Sequence, residues 1–219
     1  MVKLALIGAA GQIGTPLSLL CKASDLFDEI ALYDLVHVPV AAATLQQAGG
    51  SAFAAQALKD DMDPTRLRVI VVGGYSGATI VPLYSQAQPP IHADEKPLAR
   101  LVHRVQFGSD EIVTSKQGAG SAPTCMAYAG FRFVQSVLAG LRGEDVTEDA
   151  FVYLPGIDGG REMAEELGVE YFAVRTVLGR DGAIRILAVG NVNEKEKEML
   201  EVAVRELWTN IATGLAFMD

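Results

Sequence analysis

Seven residues near the start of the chain, Gly8-Ala9-Ala10-Gly11-Gln12-Ile13-Gly14, follow directly on the apolar run Val2 to Ile7. An aspartate, Asp34, stands twenty residues beyond Gly14, at the end of a second apolar run, Ile30-Ala31-Leu32-Tyr33. This order predicts strand, glycine turn, helix, strand and terminal acid. Glycines in such a turn let backbone amides come close to a pyrophosphate, and the helix N-terminus faces that anion. An acid at the end of the second strand accepts hydrogen bonds from a ribose diol, which favours NAD over NADP. The spacing G-x-x-G-x-x-G is one residue longer than the usual dinucleotide fingerprint. A preceding strand, Pro16 in the first helical turn and the placement of the acid supply the context that a glycine motif alone lacks. The competing reading is a glycine-rich turn in some other α/β protein. The candidate cofactor residues are Gly8, Ala9, Ala10, Gly11, Gln12, Ile13, Gly14 and Asp34.

With 219 residues, half of them apolar, the chain can bury a core as one large or two small domains. A net charge of −9 argues against a nucleic-acid or anionic-membrane partner. NAD and carboxylate substrates are anions too, so a site for them needs helix dipoles and arginines. Cys21 and Cys125 show no paired spacing and read as small buried residues on helices. His37, His92 and His103 lie far apart and lack metal-ligand spacing. The long stretch without Asp, Glu, Lys or Arg from Leu35 to Leu58 is broken by glutamines, glycines and Pro39, so no membrane span is expected. The first residues already read as a strand, so no leader peptide is expected, and the compartment stays open between cytoplasm and a mitochondrial or other organellar matrix.

Beyond Asp34, helices are expected over Val38 to Ala48 and Ser51 to Lys59, a turn at Asp63-Pro64, and a strong strand at Arg68-Val69-Ile70-Val71-Val72-Gly73. That strand is the one further candidate for the parallel sheet. Thr79 to Gln86 reads as loop or helix, Glu95 to Phe107 as an amphipathic helix, and Gly118 to about Gly140 as a helix opened by a glycine-rich segment. Strands are expected at Phe151 to Leu154 and Tyr171 to Leu178, with Gly179-Arg180-Asp181-Gly182 turning the latter into a hairpin with Ala183 to Val189. Asn193 and Glu196 form a capping box for a closing helix, whose positions Met199, Leu200, Val202, Ala203, Leu207 and Trp208 read as one buried face. The fold class is α/β: a truncated Rossmann-type βαβ opening over 1–67, followed over 68–219 by an α+β part with an antiparallel sheet. Two parallel strands are too few for a whole dinucleotide domain.

Four segments together resemble the NAD-dependent malate dehydrogenases of the mitochondrial and bacterial type, within the lactate/malate dehydrogenase superfamily. They are Gly8 to Gly14 with Asp34; Gly73-Gly74-Tyr75-Ser76-Gly77-Ala78-Thr79-Ile80-Val81-Pro82-Leu83; Lys116-Gln117-Gly118-Ala119-Gly120-Ser121-Ala122; and Met126-Ala127-Tyr128-Ala129-Gly130. The resemblance implies malate/oxaloacetate interconversion with NAD, as in the tricarboxylic acid cycle, a small dicarboxylate substrate and a homodimer. It also implies that Met126 approaches the nicotinamide end of the cofactor, whereas Met126 taken alone reads as a core residue.

Departures from the family pattern accompany the match. Between Val36 and Val38 the family has the middle of its nucleotide domain, with an arginine-bearing mobile loop and an Asn-Pro turn. Near Gly49-Gly50 a helix carrying Leu-Asp-x-x-Arg is absent. Tyr75 stands where the family places its catalytic histidine. Hydride transfer from a hydroxy acid needs a base tuned near neutral pH and arginines for the carboxylates. A phenol ordinarily gives up its proton near pH ~10, so no catalytic residue is expected to be intact. His37, His92 and His103 read as loop or surface residues, Arg132 as a helix-surface residue, and Asp63-Pro64-Thr65-Arg66 as a turn that imitates the family's Asp-x-x-Arg. The expectation is a catalytically impaired relative. The alternatives are a non-catalytic NAD-binding or subunit-partner protein, or an incomplete gene product.

Overall fold

In this computed structural model, residues 1–34, 67–115, 117 and 123–217 are described. Strands β1 (Lys3–Ile7) and β2 (Glu29–Tyr33) pair in parallel, from Lys3 opposite Glu29 to Ile7 opposite Tyr33. Helix α1 (Gly14–Lys22) connects them in sequence and buries Gly14, Ser18 and Cys21. These positions form one stripe at helical spacing. Ser18 satisfies its buried hydroxyl by donating to the Gly14 carbonyl at 2.7 Å. The expected βαβ opening is therefore present. The Arg68 strand does not extend it.

That strand, β3 (Arg68–Gly73), belongs to an antiparallel sheet with β4 (Ile80–Gln88), β5 (Val146–Tyr153), β6 (Tyr171–Gly179) and β7 (Gly182–Ile186). Its order is β4-β3-β6-β5, with β7 also pairing β6. Helices α2 (Glu95–Ser115) and α3 (Pro123–Leu141) follow β4, a short helix α4 (Gly160–Leu167) precedes β6, and α5 (Glu194–Ala216) closes the described chain. Two compact units result, Met1–Gly49 with Ser109–Leu138 and Gly50–Gly108 with Ala139–Asp219. The main core lies in the second. Val72, Val81, Leu83, Phe172 and Val174 from the sheet pack with Ala203 and Leu207 of α5.

The capping box of α5 forms as expected: Asn193 Oδ1 accepts from the Glu196 amide at 2.9 Å, and Glu196 Oε2 accepts from the Asn193 amide at 3.0 Å. Glu196 is also buried. Its Oε1 accepts from the Ser85 amide at 2.9 Å and its Oε2 from the Ser85 hydroxyl at 2.6 Å, tying α5 to β4. These bonds replace the water a buried carboxylate gives up.

Several expectations need correction. The stretch read as loop or helix after Thr79 is β4. Its apolar run shows no alternation because Val81, Pro82, Leu83 and Tyr84 are all buried, and Pro82 is tolerated because β4 is an edge strand. β5 starts at Val146, five residues earlier than expected, because Glu148 on its less exposed face interrupts the apolar alternation in sequence. α4 was not anticipated. Trp208, placed on the buried face of α5, is 62% exposed, and Cys125 is exposed whereas Cys21 is buried. The expected helices over 38–48 and 51–59, and the turn at 63–64, lie outside the described residues.

Candidate functional site

The glycine turn is built from the β1 and β2 ends upward. The amides of Gly8 and Ala9 both donate to the Tyr33 carbonyl, at 2.9 and 3.1 Å, so the turn leaves β1 anchored on β2. The Gly11 amide then donates to the Gly8 carbonyl at 3.1 Å. Gly14 has no room for a side chain, since a Cβ there would lie 1.9 Å from the Gly8 oxygen. This close approach sets α1 against the turn, as the third glycine of a dinucleotide fingerprint does. Asp34 reaches back from the end of β2, and its Oδ2 accepts from the Ala10 amide at 2.8 Å. The sequence places Asp34 at a ribose; the structure adds that the same carboxylate braces the turn.

No side chain caps the N-terminus of α1, and Gly11, Gln12 and Ile13 are exposed. The positive end of the helix is therefore presented to an anion. A cofactor pyrophosphate fits this arrangement: the amides of Gln12, Ile13 and Gly14 at the start of α1 would hold it, since those of Gly8 to Gly11 are donated within the turn and to β2 and Asp34, and Asp34 would sit beside the adenosine ribose. NAD, when bound, supplies the hydride-accepting ring; these residues supply binding and orientation.

The second group lies in the other unit. Gly73 ends β3 with φ +101°, and a Cβ there would lie 2.1 Å from the Thr79 oxygen. The Gly74 amide donates to that oxygen at 2.7 Å, while the Thr79 hydroxyl donates to the Ser76 carbonyl at 2.6 Å. Buried Thr79 is thus the anchor of the Gly-Gly-Tyr loop, a role the sequence reading did not single out. The Ser76–Thr79 spacing, which closes a capping box, was the available signal. From this ordered loop Tyr75 projects outward, 83% exposed, its ring meeting Phe151 edge-on at 6.5 Å between centroids.

Met126 is 55% exposed on α3, so it is not the core methionine that its sequence context alone suggests. His92 and His103 are exposed, and His103 packs against Phe107 at 4.8 Å. Arg132 is exposed on α3. His37, the Asp63 to Arg66 turn, Lys116 and Gly118 to Ala122 lie outside the described residues. Among the described residues no group of three or more His, Cys, Asp or Glu could hold a metal ion, and no helix is long and apolar enough to cross a membrane.

A parallel βαβ opening with a braced glycine turn, followed by an antiparallel-sheet unit, places the chain in the dinucleotide-binding α/β class. Comparison narrows this. The profile for "lactate/malate dehydrogenase, NAD binding domain" matches residues 2–74, and that for "lactate/malate dehydrogenase, alpha/beta C-terminal domain" matches 44–218. The chain belongs to the lactate/malate dehydrogenase family, whose N-terminal domain takes NAD as cofactor. It is 42% identical over 160 residues to the mitochondrial malate dehydrogenase of Saccharomyces cerevisiae, covering 73% of this chain and 46% of that protein. Against the mitochondrial malate dehydrogenase of Caenorhabditis elegans it is 36% identical over 196 residues, covering 90% of this chain and 54% of that protein. The chain thus spans about half the length of the curated relatives it matches. The apo malate dehydrogenase structure from Picrophilus torridus shares the fold, with a TM-score of 0.74, 15% identity and coverage of 99% of this chain and 98% of that chain.

Proposed function

We propose that this chain is a malate dehydrogenase relative that keeps a turn able to bind NAD and does not interconvert malate and oxaloacetate at a useful rate. One observation carries the reading: the loop at the family's histidine position is fully built, held by Gly73, Gly74 and Thr79, and presents Tyr75. A collapsed loop would argue only for general decay. An intact loop bearing a phenol argues that the base was exchanged on a surviving scaffold. By resemblance the substrate arginines and the Asn-Pro turn are missing as well, so carboxylate binding and base are lost together. Gly8 to Gly14, Asp34 and Met126 are the cofactor-contacting residues of this proposal, with no catalytic residue intact.

The functional division proposed is 1–67 for the cofactor part and 68–219 for the substrate part, the second starting where β3 begins. Internal loss near residues 37 and 49 is supported by the chain's spanning about half the length of its relatives. A non-catalytic subunit partner, pairing as a homodimer, is the second reading. It is favoured by apolar side chains left exposed on the two-stranded sheet, among them Ile7, Leu32 and Tyr33, which a partner would cover. The mitochondrial relatives favour a matrix location.

Binding is tested by thermal unfolding with NAD. A ligand held only by the folded state at a hundred times its Kd stabilises it by about 2.7 kcal/mol. The expected result is a rise in melting temperature that Asp34→Ala diminishes. No rise at millimolar NAD would remove the cofactor half of the proposal, and NADH oxidation by oxaloacetate at an ordinary dehydrogenase rate would remove the other half.

A further inference from the structure

We propose that a cleft of about 500 Å3 in the second unit, between the N-terminal part of α2, β4 and the start of α5, binds a small apolar molecule carrying an ammonium group. α2 is amphipathic in sequence, and such a helix ordinarily buries its apolar stripe. Here none of its residues is buried. Leu98 and Val102 instead line the cleft, with Met199 and Val202 of α5 and Pro82 of β4.

Two polar ties span the ends of this gap. At one end Gln106 Nε2 donates to the Ile80 carbonyl at 2.9 Å, and at the other Lys195 is ion-paired with Glu95. The Lys195 ammonium holds the Glu95 carboxyl below the usual carboxylate range, so this tie is fully charged at neutral pH. The floor cannot shift freely either, because Glu196 binds α5 to Ser85 of β4. Collapse of the cleft would break these ties, whereas an apolar ligand would fill it and leave them made. Small-molecule sites are of this kind, about 300–1,000 Å3, mostly apolar, with a few fixed polar groups.

Charge selects the head group. Three carboxylates, Glu95, Glu196 and Glu198, line the cleft against Lys195. Lys195 is taken by Glu95, and Glu196 by Ser85 and Asn193. Glu198 is exposed and has no hydrogen-bond or ion-pair partner among the described residues. With the chain at −9 overall, a cation is favoured and an anion is repelled.

The test uses three probes of one shape, phenethylamine, phenethyl alcohol and hydrocinnamate, titrated into the full chain by calorimetry and ligand-observed NMR. The amine should bind about fivefold tighter than the alcohol, the size of one exposed ion pair, and the carboxylate weakest. Glu198→Gln should erase the preference for the amine. Val102→Trp, which fills the cleft, should abolish binding of all three while cooperative melting persists, and Met199→Phe serves the same purpose should the tryptophan prevent folding. Failure of all three probes to bind, equal binding of all three, or undiminished binding to the filled variant would overturn the proposal. None of these outcomes depends on whether NAD binds or malate reacts.

Discussion

The glycine-turn unit and the antiparallel-sheet unit divide the properties of a dehydrogenase unequally. In the first, recognition is sharply specified: Gly14 admits no side chain, Asp34 braces Ala10, and α1 is uncapped toward an anion. Yet its strands bury little, and Ile7 at the end of β1 is 80% exposed. In the second, ten buried residues form one cluster under α5, while the loop position that would carry the chemistry holds Tyr75. On the proposed reading, one unit keeps recognition with little core, and the other keeps core without the family's base. If the proposal holds, the reason is that backbone motifs and packing are distributed over many residues, whereas a general base resides in one side chain.

The largest expected effect tests where the stability lies. Phe172 is fully buried at the centre of the cluster, so Phe172→Ala should cost about 3–5 kcal/mol in denaturant unfolding. A loss below ~1 kcal/mol would mean that the second unit is not the stabilising one. Gly14→Ala should cost less, about 1–3 kcal/mol from forced displacement of the turn, and should remove the NAD-induced melting shift. Retention of that shift would show that the turn is not where NAD binds. Asn193→Ala should cost about 1 kcal/mol through loss of the α5 cap. An unchanged midpoint would mean that the Glu196–Ser85 bonds alone hold the helix start.

The same contrast governs what could be read in advance. The βαβ opening, Asp34, the β6–β7 hairpin and the α5 cap were legible because each is written in local chemistry: glycines, a terminal acid, a four-residue turn, an Asn-x-x-Glu. β4 was not, because the buried run through Pro82 shows neither helical nor strand period, and its state is decided by pairing with β3. α4 leaves no periodic signal, because its eight residues, flanked by glycines, are too few, although Gly168 just past its end is the customary stop. Trp208 shares the helical spacing of the apolar positions yet stays exposed, because the cluster closes over Ala203 and Leu207 on the adjoining stripe. At the candidate site, the sequence supplied Tyr75 but not its 83% exposure or the Thr79 anchor beneath it.

The most direct measurement of the central claim is the initial rate of NADH oxidation by oxaloacetate with the purified chain, run beside Tyr75→His. The account predicts background rates for both proteins, because restoring an imidazole restores neither the arginines that hold the dicarboxylate nor the turn that meets the nicotinamide. Turnover by the unaltered chain on the order of 1–1,000 s⁻¹, the ordinary range for enzymes, would contradict it.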